Sequence, residues 1–187
     1  MSLDRPLAAA LGRALSLLRR AGLRGSFGGG LAVIVWGQPR VTQDLDLLLE
    51  IDAGQIDSFF ATARSDGYRV EDDARELLEG GFVRLLPPEG TPPVALDILR
   101  ADTPLHLEAL TRSRSFVLGD DTVPVLAPED LILLKLIAFR PKDTFDLETV
   151  ITASRDTLDT VYLRRWADRL HLRERLEAFL AEGPDGG

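Results

Sequence analysis

Residues 40–49 read Arg-Val-Thr-Gln-Asp-Leu-Asp-Leu-Leu-Leu and place two aspartates, Asp44 and Asp46, one residue apart. The change from alternating to fully apolar residues predicts a β-strand over 43–51. Residues i and i+2 of a strand point to the same face of the sheet. Both carboxylates then project together, close enough to share divalent cations, which prefer oxygen ligands.

Three consecutive glycines, Gly28–Gly30, precede this stretch. They form the N-terminal turn of a predicted helix over 30–36, and Gly37 is its stop. A helix N-terminus offers free backbone N–H groups and a positive dipole end, which suit a phosphate. The spacing fits neither a P-loop nor the Gly-x-Gly-x-x-Gly motif of dinucleotide-binding folds. An anion-binding turn beside paired carboxylates predicts a site for Mg²⁺ and a nucleoside triphosphate (NTP).

A third carboxylate, Asp97, lies within the apolar sequence Val-Ala-Leu-Asp-Ile-Leu. This segment predicts a strand over 94–100, in which a carboxylate is costly to bury unless it is paired or binds a metal. If this strand lies beside 43–51, Asp97 completes a set of three carboxylates around Mg²⁺. The alternative is an edge strand on which Asp97 faces water.

The composition limits the class of protein. The chain has 187 residues, a net charge of −8, 45% hydrophobic residues and no cysteine. The length predicts one domain, the missing cysteines exclude disulfides and thiolate metal sites, and the acidic balance argues against binding to long DNA. No apolar run approaches the ~18 residues that span a membrane, and the first residues lack signal-peptide features. We therefore expect a cytoplasmic protein without a membrane partner.

Only two of the 22 basic residues are lysines, and both lie in one short window, as Lys135 and Lys142. Lys135 interrupts the apolar residues of a predicted helix over 128–139, and Arg140 follows that helix. A buried ammonium is costly, and we see no structural reason for one here. We therefore expect Lys135 to emerge into a cleft and meet a triphosphate.

A second concentration of charge occupies 164–175, which contains five arginines with Asp168 and Glu174 between them. It is consistent with a solvated helix face or with a patch that binds RNA or a partner, and the sequence leaves both open. The two histidines, His106 and His171, show neither metal-ligand nor catalytic-triad spacing.

The hydrophobic patterns predict an α/β (α+β) fold, with a mixed-sheet core and a C-terminal helical extension. Predicted helices cover 5–22, 30–36, 54–66, 103–111, 128–139, 142–153, 157–169 and 172–182; predicted strands cover 26–27, 43–51, 68–71, 81–86, 94–100, 114–118 and 122–126. We expect the core over 1–127, the helical region packed on it over 128–182, and a frayed tail over 183–187.

The ordered set of these residues resembles the polymerase-beta-like nucleotidyltransferase superfamily, and within it the AbiEii-like branch of abortive-infection and toxin–antitoxin systems. The resemblance runs from about residue 26 to residue 146. Its first part comprises Gly29-Gly30, Leu31-Ala32-Val33, Gly37, Arg40-Val41-Thr42-Gln43-Asp44-Leu45-Asp46 and Asp97. Its second part comprises Pro128-Glu129-Asp130-Leu131, Lys135, Ala138, Arg140, Lys142-Asp143 and Asp146.

The resemblance implies a role for each matched residue. The metal ligands for Mg²⁺ (or Mn²⁺) would be Asp44, Asp46 and Asp97, and Asp97 would also help to activate the acceptor hydroxyl. The nucleotide and its phosphates would contact Gly29, Gly30, Arg40, Thr42, Lys135, Arg140 and Lys142. Arg40 and Thr42 could instead brace the catalytic strand.

The implied reaction transfers a nucleoside monophosphate from an NTP such as ATP to a hydroxyl of RNA (a tRNA end) or of protein. The branch also implies a role in a toxin–antitoxin system or in phage defence, with a cognate antitoxin or toxin as partner. One alternative is a catalytically weak relative that acts as a regulatory binding partner. Another is a nucleotidyltransferase for a small molecule, of the aminoglycoside type.

Overall fold

The computed structural model describes residues 3–119 and 121–181, which form one six-stranded mixed sheet covered by helices. The strands are β1 (Arg24–Phe27), β2 (Asp44–Glu50), β3 (Phe82–Leu85), β4 (Ala95–Arg100), β5 (Arg114–Leu118) and β6 (Asp121–Val125). The helices are α1 (Arg5–Ala21), α2 (Gly29–Trp36), α3 (Ile56–Ser65), α4 (Ala74–Glu79), α5 (Pro104–Arg112), α6 (Pro128–Ala138), α7 (Pro141–Ser154), α8 (Thr160–Arg169) and α9 (Arg173–Ala181). This arrangement confirms the predicted fold class.

The strand order is β3-β4-β2-β1-β6-β5. β2 runs parallel to β4 and antiparallel to β1, and the β3–β4 and β5–β6 pairs are antiparallel. Both faces of β2 are covered, because Leu47 and Leu49 enter the main apolar core while Leu48 joins a smaller cluster with Leu110 and Leu126. Burial on both faces explains why the apolar run of this strand is continuous.

The glycine turn opens a helix, as predicted. Residues Gly29–Trp36 form α2 although Val33, Ile34 and Val35 favour strands, because the helix is buried between the sheet and the C-terminal helices. Gly37 ends it, and its N–H donates to the Val33 carbonyl at 2.8 Å.

The region before β3 differs from the prediction in two ways. The strand predicted over 68–71 is wrong, because these residues contribute only an isolated bridge between Arg69 and Leu86. A helix that was not predicted, α4, forms over Ala74–Glu79. Ala74 and Leu78 are buried one helical turn apart, whereas Leu77 beside them is 46% exposed. Three apolar residues in a six-residue helix are too few for a clear periodic signal, so packing decided this helix.

The C-terminal helices share the main core with the rest of the protein. One cluster of buried apolar residues extends from Leu7 in α1 to Phe179 in α9. The boundary that we predict between 127 and 128 therefore stays a prediction, and the tail over 183–187 lies outside the described residues. None of the helices in the described part is long and apolar enough to cross a membrane.

A buried ionic network joins α6 to α7. Lys135 is 5% exposed, and its Nζ donates to Asp143 Oδ1 at 3.0 Å and to Asp146 Oδ2 at 2.6 Å. Burial opposes the ionisation of Asp143, but hydrogen bonds from Arg140 and Lys135 outweigh it and lower the pKa of Asp143 to about 2. The expectation that Lys135 has no structural reason to be buried is wrong, because two carboxylates surround its ammonium.

A second buried network joins α5, α6 and α8. Arg112 donates to Glu129 at 2.8 Å and to Asp130 at 3.2 Å, and Tyr162 donates its hydroxyl proton to Asp130. Glu129 also accepts the backbone N–H of Asp159, just before α8. Burial raises the pKa of Asp130 to about 6, although the Tyr162 and Arg112 contacts oppose the rise.

Ion pairs and ring contacts engage the arginines of 164–175. Arg164 pairs with Glu177, Arg165 with Glu108, and Arg173 with Asp168 and Glu177. Arg169 lies over the Trp166 ring, and Arg175 donates to the Leu136 carbonyl and stacks on Phe139. These contacts favour a structural role for the basic stretch over an RNA-binding patch.

Lys135→Met should lower the free energy of unfolding by about 3–5 kcal/mol, because it removes the buried ammonium between two buried carboxylates and leaves them only the more exposed Arg140 and Arg40. The matched control is Lys142→Met, which changes the other lysine at an exposed position and should stay within about 0.5 kcal/mol of the parent protein. Urea denaturation of the three proteins measures both effects. A Lys135→Met protein as stable as the parent would show that the network contributes little.

The stability of the protein should also depend on the protonation of Asp130. Because the pKa of Asp130 in the folded protein is raised from 3.8 to about 6, the folded state binds this proton more tightly than the unfolded chain does. The contribution of Asp130 to the free energy of unfolding is therefore full below pH 3.8 and falls as the pH rises through about 6, by on the order of 2 kcal/mol.

Urea denaturation between pH 4 and pH 7 measures this decline. Asp130→Asn should flatten it, whereas Asp57→Asn, at an exposed position, should leave it unchanged. A decline equally steep in Asp130→Asn and in the parent protein would contradict the assignment to Asp130.

Candidate active site

Three aspartates share one face of the sheet. Asp44 and Asp46 lie two residues apart on β2, and Asp46 is directly opposite Asp97 on β4. The prediction that strand 94–100 lies beside strand 43–51 is confirmed. The alternative of a solvent-facing edge position is wrong, because β4 lies between β3 and β2 and Asp97 is 8% exposed.

The start of α2 touches the Asp46 carboxylate. Gly29 has a φ of +48°, and a Cβ at this position would overlap the side chain of Asp46. The backbone N–H of Gly30 donates to the same carboxylate. Glycine is therefore required at position 29 both by backbone conformation and by space. The helix start that we predict for phosphate binding lies directly beside the acids, and in this structure its Gly30 amide is engaged by Asp46.

The electrostatics of Asp46 reflect this crowding. Burial raises its pKa most strongly, and repulsion from Asp44 and Asp97 adds to the rise, while Gly30 and Lys135 oppose it. Burial therefore contributes more to the raised pKa of Asp46 than the repulsion between the acids does. The site therefore disfavours three bare negative charges and favours an added cation.

Arg40 and Thr42 brace the loop before β2. Thr42 Oγ1 donates to the Asp44 carbonyl at 3.1 Å and lies 3.3 Å from Asp44 Oδ1. Arg40 Nε lies 3.4 Å from Asp146 Oδ1. A Cβ on Gly30 would overlap the Thr42 hydroxyl. The bracing role is thus visible, and phosphate contact by either residue stays a prediction.

Arg84 is a functional candidate that the sequence reasoning missed. Its Nε and Nη2 donate to Asp97 Oδ1 and Oδ2, both at 2.6 Å, and Nη2 lies 3.5 Å from Asp44 Oδ2. The pairing raises the pKa of the Arg84 guanidinium further above its ordinary value. The predicted strand 81–86 placed Arg84 on one of its two faces, but only the register with β4 reveals its partner.

The other predicted phosphate ligands differ in position. Lys135 and Arg140 line the cleft, and Asp143 holds both of their side chains. The Arg140 side chain is 55% exposed, so it is the more accessible of the two. Lys142 is exposed on the first turn of α7 and is absent from the lining. The partners of Lys135, Asp143 and Asp146, could have been recognised in the sequence as two acids three residues apart on a predicted helix.

A cavity of about 390 Å³ extends from the aspartates across the sheet face. Most of its wall is apolar and comes from Leu48, Leu99, Leu126 and Leu134. His106 contributes a polar edge, with Nδ1 3.4 Å from Asp102 Oδ1. Such a wall can pack against a flat apolar group such as a nucleobase.

The donor set fits a hard divalent cation in part. Asp44 and Asp46 offer carboxylate oxygens beside the phosphate-binding turn, which suits Mg²⁺ or Mn²⁺. Both oxygens of Asp97 are engaged by Arg84. Within residues 3–119 and 121–181, no group of three His, Cys, Asp or Glu side chains is arranged to hold a metal ion. The two aspartates of β2 therefore fit the ion, and Asp97 would join them once it is free of Arg84.

Solved structures with similar folds are nucleotidyltransferases or resemble them. An antigenic nucleotidyltransferase-like protein from Paracoccidioides brasiliensis superposes with a TM-score of 0.61 at 16% identity, over 96% of this chain and 94% of that one. The antibiotic-resistance factor ANT(2'')-Ia gives 0.59 at 17% identity, over 94% and 99%. The lincosamide antibiotic adenylyltransferase LnuA, with lincomycin bound, gives 0.52 at 15% identity, over 81% and 98%.

At these identities the likeness shows a shared fold. No curated protein matches the chain. Residues 17–185 match the family described as nucleotidyl transferase AbiEii toxin, Type IV TA system. That match spans most of the chain and includes the glycine turn, the three aspartates and the C-terminal helices. The protein therefore belongs to the AbiEii nucleotidyltransferase family.

Proposed function

We propose that the protein is a metal-dependent nucleotidyltransferase that transfers a nucleoside monophosphate from an NTP to a hydroxyl of RNA or protein. The observation that carries this proposal is the contact between the start of α2 and Asp46. It puts backbone amides at the start of a helix, the positive helix end and acidic metal ligands at one point of the cleft. A triphosphate and its cation need this combination.

Residues of the cleft bind the phosphates and the base of the NTP. The Gly29 amide binds the phosphates, and the Gly30 amide joins it when Asp46 binds the cation and no longer accepts from Gly30. Arg140, at the exposed edge of the cleft, adds positive charge. The apolar wall packs against the base. The acceptor oxygen then forms a bond to the α-phosphorus, and the bond to the bridging oxygen breaks, releasing pyrophosphate.

Asp44 and Asp46 would hold Mg²⁺ or Mn²⁺, which when bound supplies positive charge to the reacting phosphate oxygens. Asp97 accepts the proton of the acceptor hydroxyl, for which its carboxylate must be free. Thr42 orients Asp44 through its hydroxyl, and Arg40 supports the loop from the other side. These supporting contacts keep the two ligand aspartates of β2 in place.

The family suggests the biological setting. We place the activity in a toxin–antitoxin or phage-defence system in the cytoplasm, with a cognate antitoxin or toxin as protein partner. Paired arginines and a net charge of −8 leave little basic surface for a long nucleic acid. The acceptor is then a compact hydroxyl group, such as a tRNA end or a protein side chain.

Two observations support the two alternative functions, which the labelling experiment described next also tests. The Arg84–Asp97 pair favours a weakly active relative that serves as a regulatory binding partner. The apolar cavity favours a small-molecule acceptor, and the proteins of similar fold include two that are associated with antibiotics. An apolar wall suits a polycationic aminoglycoside poorly.

Incubation with each labelled NTP, Mg²⁺ and bulk cellular RNA or protein tests the proposal. We expect label to enter RNA or protein, and nuclease or protease digestion identifies which. Asp46→Asn should lower transfer at least about 100-fold, whereas Glu50→Gln, an exposed acid at the end of the same strand, should preserve it. Label on neither macromolecule with any NTP would contradict the proposed acceptors and favour the alternatives.

Gly29→Ala should impair NTP binding by about tenfold or more, because the methyl group displaces the Asp46 carboxylate from the start of α2. Gly22→Ala is the matched control. Gly22 has a similar φ of +65° but no atom within 4 Å of its Cβ position, so it shares the backbone strain of about 1–2 kcal/mol without touching the site. Calorimetry with NTP and Mg²⁺ measures the affinities, and equal affinity for Gly29→Ala and the parent would contradict the binding role of the turn.

A further inference from the structure

A line of three charged residues, one cation and two acids, crosses three neighbouring strands. Arg84 on β3 is opposite Asp97 on β4, and Asp97 is opposite Asp46 on β2. Residues that face each other across paired strands lie on the same side of the sheet. Arg84 therefore projects onto the face that carries the aspartates, and its guanidinium reaches both Asp97 and Asp44.

The Arg84 contact occupies the oxygens that a metal ion would need. A guanidinium paired with both carboxylate oxygens is a strong and directional contact. At 2.6 Å, Nε and Nη2 of Arg84 use both oxygens of Asp97. The positive charge of Arg84 lies between Asp97 and Asp44 and offsets part of their repulsion. In this arrangement the arginine neutralises the acids in place of an external cation.

The surroundings of Arg84 allow it to leave. β3 is the outermost strand on its side of the sheet, and the Arg84 side chain is 51% exposed. All the contacts that the structure gives its guanidinium are with the cleft aspartates. Rotation into solvent would thus break no other ion pair and would leave no buried charge on Arg84 itself. Lys135 differs, because it is buried and donates to two buried carboxylates, those of Asp143 and Asp146.

We propose that Arg84 is an internal competitor of the divalent cation for Asp97, and that the cation binds with all three aspartates only when this arginine is displaced. The inference rests on the proposed metal-dependent function. Competition lowers the apparent affinity for the metal by the fraction of molecules in which Asp97 is free. Metal binding and the release of Arg84 are then one coupled equilibrium, and the site is fully assembled only at a sufficient cation concentration.

Binding of Mn²⁺ to the purified full chain, followed by calorimetry and by the electron paramagnetic resonance signal of free Mn²⁺, tests the competition. Arg84→Met should tighten Mn²⁺ binding about tenfold, because it frees Asp97 in every molecule. Arg84→Lys keeps the charge but cannot form the two-point contact, so it should tighten binding by an intermediate factor. Thermal unfolding without metal establishes that each variant is folded.

Two further variants separate competition from simple charge removal. Arg140→Met removes a positive charge at the edge of the same cleft, where it pairs with Asp143 rather than with the three aspartates, and it should tighten Mn²⁺ binding less than Arg84→Met does. In the background of Asp97→Asn, Arg84→Met should give almost no further gain, because the contested ligand is gone.

The outcomes are distinguishable. Measurable Mn²⁺ binding by the parent protein that Arg84→Met leaves unchanged or weakens would overturn the competition and leave the proposed function intact. Equal tightening by Arg84→Met and Arg140→Met, with Arg84→Lys unchanged, would also overturn it, since charge alone would explain the effect. Absence of Mn²⁺ binding in the parent and in every variant would overturn both proposals. Binding that appears only when Arg84 is replaced would support the competition most directly.

Discussion

Two carboxylates, Asp46 and Asp97, lie side by side on adjacent strands and repel each other. The other groups of the site offset this repulsion. Like charges opposite each other destabilise a sheet, and burial increases the cost. Three groups offset the free-energy cost of placing these two charges together. The Gly30 amide at the start of α2 donates to Asp46, Arg84 donates to both oxygens of Asp97, and Lys135 on α6 adds positive charge near Asp46. A site that must be neutralised in this way is suited to bind a cation and a polyphosphate together.

The C-terminal helices belong to the same electrostatic arrangement. Lys135 on α6 is held by two acids of α7, and Arg40, from the loop that precedes β2, reaches one of them, Asp146. The ionic network that fastens the helices therefore also positions the wall of the cleft. A compact ammonium fits between two buried carboxylates, whereas a guanidinium would require a wider planar space. This difference gives a physical reason for a lysine at position 135 in a chain whose other basic residues are almost all arginine.

Arg84 and Lys135 illustrate two uses of a cation beside the cleft. Lys135 is buried and has two fixed carboxylate partners, so its contribution is to the folded structure and to the field around Asp46. Arg84 is half exposed on an edge strand, and its partners are the acids that we assign to the chemistry. Exposure thus separates a permanent structural contact from one that can exchange with a ligand, because water can solvate the half-exposed Arg84 guanidinium when it leaves Asp97.

Short-range patterns in the sequence determined a large part of this protein. The period-2 spacing of Asp44 and Asp46, the glycines before α2 and Pro128 at the start of α6 each fix a local geometry, and the family resemblance arranged them into one site. The tertiary structure alone decided which residues meet across strands and helices. The register of β3 with β4 brought Arg84 to Asp97, and the packing of α6 on α7 brought Lys135 to its acids. The helix α4 is stabilised by the burial of Ala74 and Leu78 in the core. Such contacts join residues on different strands and helices, so they depend on strand register and helix packing, which the spacing within one element does not encode.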